Sequence, residues 1–355
     1  GRQAHRENQL VHFFRKILFP LIIPMTWLYG CTIWVRNQFY NLGWIKTISF
    51  DKPVISVGNI TSGGTGKTPL VIYLAQLLLK NGKKPGIISR GYGRKSQGMQ
   101  IVHDGKKLLS NSETTGDEPY LMARVLEKVP VVVCEDRSRG IRQLLDYYSV
   151  NVIIMDDSFQ HRKVNRDLDI LTVSSNDKKT DYRLLPWGNL REPLKNIDRA
   201  NCVIYTKTEN YKTPAIHSKF QPFLKTNPIN SSLLPTLMKY NASNYQKSQP
   251  PGKPIFAFCG IAEPNSFINT AEELSLKVEG RKFFHDHQEY TEAVIQKLSE
   301  QIRASSISYV VTTEKDMVKL PESFLEEFEV YVIKVDVVFE NDLIIKDIIQ
   351  PLLLN

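Results

Sequence analysis

The sequence predicts an α/β fold, a mostly parallel sheet flanked by helices, and three observations carry that prediction. Short apolar runs rich in β-branched residues, at 54–57, 129–134 and 152–155, alternate with stretches of helical spacing. A glycine-dense turn, SGGTG at 62–66, joins the first of these runs to the first long helical stretch. Polar motifs recur just after the apolar runs, at the carboxyl ends of strands, where open α/β sheets gather their ligands.

Ahead of the first strand, residues 17–35 carry no charge and approach the ~20 apolar residues that span a bilayer. Arg2, Arg6, Arg15 and Lys16 precede the run, which argues against a simple span with the body inside. Pro20, Pro24 and Gly30 interrupt a straight helix, and no small-x-small cleavage site marks a secretory signal. The expectation is an N-terminal apolar helix within 1–46, lying in or partly entering the cytoplasmic leaflet. Trp27, Tyr29 and Trp34 would then sit at headgroup level. A helix packed on the protein body is the alternative.

Residues 57–69 read VGNITSGGTGKTP, and beyond Pro69 the apolar positions Leu70, Val71, Leu74, Leu77 and Leu78 have helical spacing. Strand, glycine-rich turn and helix make a phosphate loop, in which backbone N–H groups and a helix N-terminus face a polyphosphate. Thr61, Ser62, Gly63, Gly64, Thr65 and Gly66 would form the cradle. Lys67 would neutralise the β- and γ-phosphates, and the Thr68 hydroxyl would ligate Mg²⁺. Thr61 stands where the strict motif has glycine. A P-loop NTPase-like core over 47–215 follows, with a nucleoside triphosphate and Mg²⁺ as its ligands.

The series continues with a strand at 83–89 leading into Arg90-Gly91-Tyr92-Gly93-Arg94, then a hairpin-like stretch around 102–109. Gly116-Asp117-Glu118-Pro119 opens a helix at 120–126, and a second helix covers 139–147. The run 152–155 ends in Asp156-Asp157, as a Walker-B strand does when it sets an acid opposite the P-loop hydroxyl. Strands at 168–173 and 202–205 complete this unit. Residues 207–254, rich in Lys, Asn, Ser and Pro, read as irregular connection with a strand or two, LPTLMKY at 234–240 being one candidate, and 216–254 serving as linker. A second, smaller α/β domain over 255–355 holds strands at 255–259, 282–284, 309–313 and 330–337. Its helices are expected at 266–274, 291–302 and 343–354.

At 355 residues the chain suffices for two domains, and 42% hydrophobic with 23% charged residues excludes a disordered chain. The net charge of +9 suits an acidic partner: nucleotide, nucleic acid or anionic membrane. No nucleic-acid module or dense basic helix is present, so nucleic acid is not expected. Four cysteines without a C-x-x-C read as buried thiols in a reducing compartment, not as a disulfide or zinc framework.

Several polar groups admit two readings. Asp117 and Glu118 suit a helix N-terminus, where the dipole favours acids, as well as they suit catalysis. His285-Asp286-His287 offers too few ligands for a metal, and one histidine steadying a carboxylate base is the better use. Arg191-Glu192-Pro193 offers one cation and one anion on a Pro/Gly-shaped loop and reads equally as a surface turn, and the 312–316 segment is explained by helix capping. A membrane-associated ATPase switch would carry lysine where this chain has Ser62.

In order, VGNITSGGTGKTP (57–69), SRGYGR (89–94), GDEP (116–119), DDSFQHR (156–162) and LLPWGNLREP (184–193) resemble the tetraacyldisaccharide 4′-kinase family of lipid A biosynthesis. FCGIAEPNSF (258–267), FHDHQEY (284–290) and TTEKDMVKL (312–320) extend the likeness over nearly the whole chain. The resemblance implies transfer of the ATP γ-phosphate to the 4′-hydroxyl of a tetraacyldisaccharide 1-phosphate, giving lipid IVA. It implies Asp117 as base with His287 as its dyad partner and Lys67 as the phosphate-binding catalytic cation. Thr68, Asp156, Asp157 and Glu192 would hold the metal with Glu118 nearby, and Gln160 or Arg191 would approach the nucleotide. Arg90 and Arg94 would meet the anionic headgroup. Its partners would be the lipid A disaccharide precursor and the cytoplasmic face of a bacterial inner membrane, with no obligate protein partner. Ser158 stands where the family usually has glycine, which puts the local backbone angle in question.

Overall fold

The computed structural model describes residues 19–177, 182–241 and 244–353. Its first element, α1 (Phe19–Asn41), runs six residues beyond the uncharged stretch and keeps Pro24 inside. Ile22, Thr26, Tyr29, Ile33, Arg36, Asn37 and Tyr40 recur at helical spacing and turn toward the body. Trp27, Leu28 and Trp34 are exposed on the opposite face, at 72%, 70% and 51%. Tyr29 departs from expectation, because its hydroxyl donates to Arg191 O at 2.8 Å instead of facing outward. Among the described residues no helix is long and apolar enough to cross a membrane. Residues 1–18, which hold the leading basic cluster and the start of the apolar run, lie outside those described.

The body is one thirteen-stranded sheet. Its first half contains β1 (Val54–Asn59), β2 (Pro85–Ser89), β3 (Gln100–Asp104), β4 (Pro130–Val133), β5 (Val152–Asp156), β6 (Leu168–Ser174) and β7 (Cys202–Thr206). They lie in the order β7-β6-β1-β5-β2-β4-β3, parallel except for β3 on β4. Every residue of β1, β5, β6 and β7 is buried, which is why these strands read as unbroken apolar runs. Helices α2 (Lys67–Lys80) and α3 (Asp117–Val125) pack with Leu70, Leu74, Met122 and Ile87 in one core. Helix α4 (Arg137–Tyr147) covers the sheet with Ile141 and Leu144, packed among Ile88 and Met155.

The segment read as irregular connection contains the longest strand, β8 (Ile229–Asn241), with β9 (Asn244–Lys247) beside it. The stretch 234–240 was expected as a strand and lies within it, whereas the Asn230-Ser231-Ser232 run hid its start, because such residues are poor strand formers. Ile229 and Asn230 pair parallel with β7, whereas residues 231–239 pair antiparallel with β13 (Glu329–Phe339), so β8 joins both halves. The far half runs β11 (Lys277–Phe283), β10 (Pro254–Cys259), β12 (Tyr309–Thr313), β13, all parallel. Helices α5 (Pro264–Glu273) and α6 (Glu292–Ala304) contribute Phe267, Ile268, Leu298 and Ile302 to the cores around it. Strand β11 begins five residues before the expected 282–284 strand. The last helix, α7 (Asp342–Leu353), leaves the far half and places Ile345 and Ile349 in the core of α2.

Candidate active site

The turn after β1 sits where strand order reverses, with β5 on one side of β1 and β6 on the other. Gly66 caps α2 in the left-handed region, at φ 73°, a conformation that glycine adopts without cost. Hydroxyls of the neighbouring strands hold the turn. Thr65 Oγ1 meets Thr172 Oγ1 at 2.8 Å, Thr172 donates to Gly58 O, and Thr206 donates to Thr65 O at 2.9 Å. Thr61 pairs with Leu190, and the Ser62 N–H donates to Asn189 O at 2.7 Å. Gln160 donates to Asn59 O at 2.8 Å, so it braces the turn's entrance. Gly63 and Gly64 are open, with nothing near enough to obstruct a Cβ. The cradle is thus built and held, its polar residue at 61 being a buried strand partner.

Asp156, the last residue of β5 and in register with Val57, and Asp157 just after it arrive beside the cradle. Lys67 Nζ lies 3.3 Å from Asp157 Oδ1, and Arg191 Nη1 reaches both Asp157 oxygens at 3.0 and 3.1 Å. Burial would raise the Asp157 pKa, but the charges of Lys67 and Arg191 outweigh it and hold the group below its ordinary value. Asp156 is enclosed more completely. Burial, with the negative charges of Glu118 and Asp157, pushes it up to about 7. Its Oδ2 accepts from Ser89 Oγ at 2.8 Å, and its buried Oδ1 has no hydrogen-bond donor among the described residues. The left-handed angle in this turn falls on Asp157, at φ 46°, so Ser158 fits without strain and donates to Asp156 O.

A divalent cation suits this place. Asp156 Oδ1 is an orphaned acceptor with Lys67, Glu118 and Asp157 near enough to set its charge state. Among the described residues no three acids, histidines or cysteines form a metal cage. Mg²⁺ does not need one, since it binds through one or two carboxylates together with phosphates and water.

The second cluster crosses the molecule. Asp117, first residue of α3, meets His287 of the far half at 3.2 Å, Nδ1 to Oδ2, rather than capping its own helix. Burial raises the Asp117 pKa, but the His287 hydrogen bond and the Lys319 charge prevail and lower it overall. The Nε2 edge of His287 faces Lys315 Nζ at 3.4 Å and Asp286 Oδ2 at 3.9 Å. Tyr92 lays its ring 5.6 Å from the His287 ring. Gly91, at φ 69°, lets this loop close on the α3 turn, where a Cβ would lie 2.6 Å from Thr115 O. A cleft of about 410 Å³ is lined by Thr68 and Glu118, the chain neighbours of Lys67 and Asp117, together with Glu314 and Lys315.

Two expected site residues are engaged elsewhere. Glu192, placed by expectation in the metal set, is fully buried with both oxygens taken. Arg36 donates to Oε1 at 3.0 Å, and Asn37, Asn196 and Arg199 donate to Oε2 at 3.1, 2.6 and 2.8 Å. It ties α1 to the 184–199 segment and has no oxygen left for a cation. Arg94, expected at a headgroup, buries its side chain to 3% exposure and gives its guanidinium to Glu135 and Gly98 O. Arg90 is exposed and stays available.

Ser89, Arg137 and Lys319 escaped the sequence reading. Ser89 was legible as the polar end of an apolar strand, the position that exposed Asp156. Arg137 carries its buried charge near Asp156 and Asp157, and nothing local distinguishes it from any helix-starting arginine. Lys319 follows, three residues on, the 312–316 segment that helix capping explained. That explanation also holds, since Thr313 Oγ1 accepts from Asp316 N at 3.1 Å.

Comparison with known proteins agrees with this geometry. The family model described as tetraacyldisaccharide-1-P 4′-kinase matches residues 18–353. The tetraacyldisaccharide 4′-kinase of Chlorobaculum parvum is 38% identical over 308 residues, covering 85% of this chain and 84% of that protein. The one from Desulfotalea psychrophila is 37% identical over 321 residues, covering 89% and 92%. The crystal structure of Aquifex aeolicus LpxK in complex with ATP superposes with a TM-score of 0.75 at 34% identity, covering 96% of this chain and 99% of that one. With a matching family model over nearly its full length, the chain belongs to the tetraacyldisaccharide-1-P 4′-kinase (LpxK) family.

Proposed function

We propose that the protein is an ATP-dependent kinase that phosphorylates the 4′-hydroxyl of a tetraacyldisaccharide 1-phosphate to give lipid IVA. The observation that carries this reading is Asp117 meeting His287 across 170 residues of chain, next to Glu118, which lines the cleft that also holds Thr68. A phosphate cradle alone serves any NTPase. A carboxylate–histidine pair beside it supplies the proton acceptor that a sugar hydroxyl needs.

In this mechanism the backbone of 61–66 and Lys67 hold the triphosphate, Lys67 leaving its ion pair with Asp157 to do so. Arg191, released with it, can follow the transferred charge. Mg²⁺, held by Thr68, Asp156 and Asp157 with Glu118 behind them, would neutralise charge on the β- and γ-oxygens. Asp117 takes the proton of the 4′-hydroxyl, whose oxygen forms the new bond to the γ-phosphorus. The bond from that phosphorus to the bridging oxygen breaks, and ADP leaves with its electron pair. His287 orients Asp117 throughout, and the exposed Arg90 would meet the acceptor's phosphate.

A four-chain glycolipid leaves a bilayer at a cost of about 0.8 kcal/mol for each exposed CH₂, so the enzyme must work at the surface. The outer face of α1, with Trp27, Leu28 and Trp34, supports docking on the cytoplasmic face of the inner membrane, assisted by the net charge of +9. We retain residues 47–215 and 255–355 as two units that close on ATP and sugar, with β8 as the connection about which they move. Label from [γ-³²P]ATP should appear in purified disaccharide lipid. Robust ATP hydrolysis with no labelled lipid would overturn the assignment.

A further inference from the structure

Asp117 has a second partner besides His287. Lys319 Nζ lies 3.2 Å from Asp117 Oδ2, the same oxygen that His287 Nδ1 reaches. The lysine is 6% exposed, and its remaining contacts replace the water excluded around it. It donates to Gln288 O at 2.9 Å, lies 3.6 Å from Asp316 Oδ1, and sits 5.3 Å from the Tyr290 ring centroid. Asp316 is itself buried and fixed, its Oδ2 accepting from Gly260 N at 3.0 Å and Thr313 Oγ1 at 2.7 Å. A continuous chain of polar contacts therefore runs from the ends of β10 and β12 through Asp316 and Lys319 to Asp117.

We infer that Lys319 is a positioning residue for phosphoryl transfer: with His287 it clamps Asp117 Oδ2, so that Oδ1 is presented to the acceptor hydroxyl. One histidine leaves a carboxylate free to rotate about the axis of that single bond. A second donor arriving on the same oxygen from another segment removes the rotation. Oδ1 carries no hydrogen bond among the described residues, so the clamp leaves one oxygen free to accept the incoming proton. Gln288, which receives another Lys319 proton, is the residue after His287, so one ammonium sets the acid and the backbone of its partner together. The Tyr290 ring beneath the ammonium keeps water from substituting for it. The inference rests on Asp117 being the base.

The test uses the full chain with ATP and disaccharide lipid, comparing Lys319→Met, Lys319→Arg, Asp117→Asn and the double variant Lys319→Met/Asp117→Asn. Loss of orientation predicts kcat lower by about 100-fold in Lys319→Met, with KM for both substrates within about threefold of the parent. Lys319→Arg, which keeps the charge and two donors, should recover at least about tenfold of that loss. The double variant should be no slower than Asp117→Asn alone, because the clamp has nothing left to orient. Multiplicative losses in the double variant, or a raised KM with unchanged kcat, would make Lys319 a tie between the halves and overturn the inference. Should Lys319→Met fail to fold, Lys319→Gln replaces it in the same comparison. Near-normal turnover by Asp117→Asn would remove the base assignment itself, whereas near-normal turnover by Lys319→Met beside a dead Asp117→Asn would remove only the clamp.

Discussion

Glu192 separates two accounts of the same residue, because a metal ligand and a buried tie fail in different ways when removed. In the structure its carboxylate is fully buried and accepts from Arg36, Asn37, Asn196 and Arg199. Truncation to alanine leaves the Arg199 guanidinium and two amides without their acceptor. Removing one member of a buried, hydrogen-bonded charge pair costs about 3–5 kcal/mol. With about 2.1 cal/mol/K of unfolding entropy per residue over 355 residues unfolding together, Glu192→Ala should lower Tm by roughly 4–7 °C. Glu192→Gln should do less. Its amide oxygen can face the three donors on the Oε2 side, so that only the Arg36 hydrogen bond is given up, and Arg36 is exposed enough to turn to water. That single charge-assisted bond sets a loss at or below about 1.5–3 kcal/mol. Differential scanning fluorimetry gives Tm, and kinase activity titrated with MgCl₂ gives the metal requirement. Both variants should keep the parent's half-saturating Mg²⁺ while α1 becomes easier to cleave by protease. An unchanged Tm with a tenfold higher Mg²⁺ requirement would refute the reasoning and return Glu192 to the metal set.

Gly91→Ala should cut kcat by about 10–100-fold while sparing nucleotide binding, because its Cβ would drive the Tyr92 loop away from His287 and Asp117; ATP affinity and lipid labelling measured together check it. Arg90→Ala should raise KM for the lipid with Tm unchanged, whereas Arg94→Ala should lower Tm, since Arg94 is buried against Glu135 and Arg90 is exposed. Burial, offset in part by Lys334, pushes Glu314 up to about 7. An unfolded chain gives up that proton near the ordinary 4.5, so the folded state holds more protons between the two values and stability falls as pH rises through this window. Glu314→Gln should flatten that fall in urea midpoints taken from pH 4.5 to 7. Trp27→Ala/Leu28→Ala should reduce sedimentation with anionic vesicles and leave ATP binding intact, since that face of α1 is turned from the cradle.

Legibility in the sequence followed locality. The cradle, the Asp156-Asp157 strand end and the strand–helix alternation were readable because period, turn chemistry and burial on both faces are written within a dozen residues. The α3 start at Asp117 and the Thr313 cap were readable for the same reason. Strand β8 was readable only over 234–240; its start at 229–233 was not, since pairing with β7 and β13 overrides a composition that argues for a loop.

What the sequence by itself determined, then, is the phosphate site: a fully buried strand, a turn that needs glycine, and a helix that starts with Lys67-Thr68 can meet in only one local arrangement. Tertiary structure alone decided how the acids are used. Asp117 finds His287 and Lys319 at separations of 170 and 202 residues, while Glu192, a carboxylate like it, is surrounded by donors from α1 and the 194–199 turn. A carboxylate's role is set by which donors surround it and how much water is excluded. Those are properties of the packed chain, and no stretch of neighbouring residues encodes them.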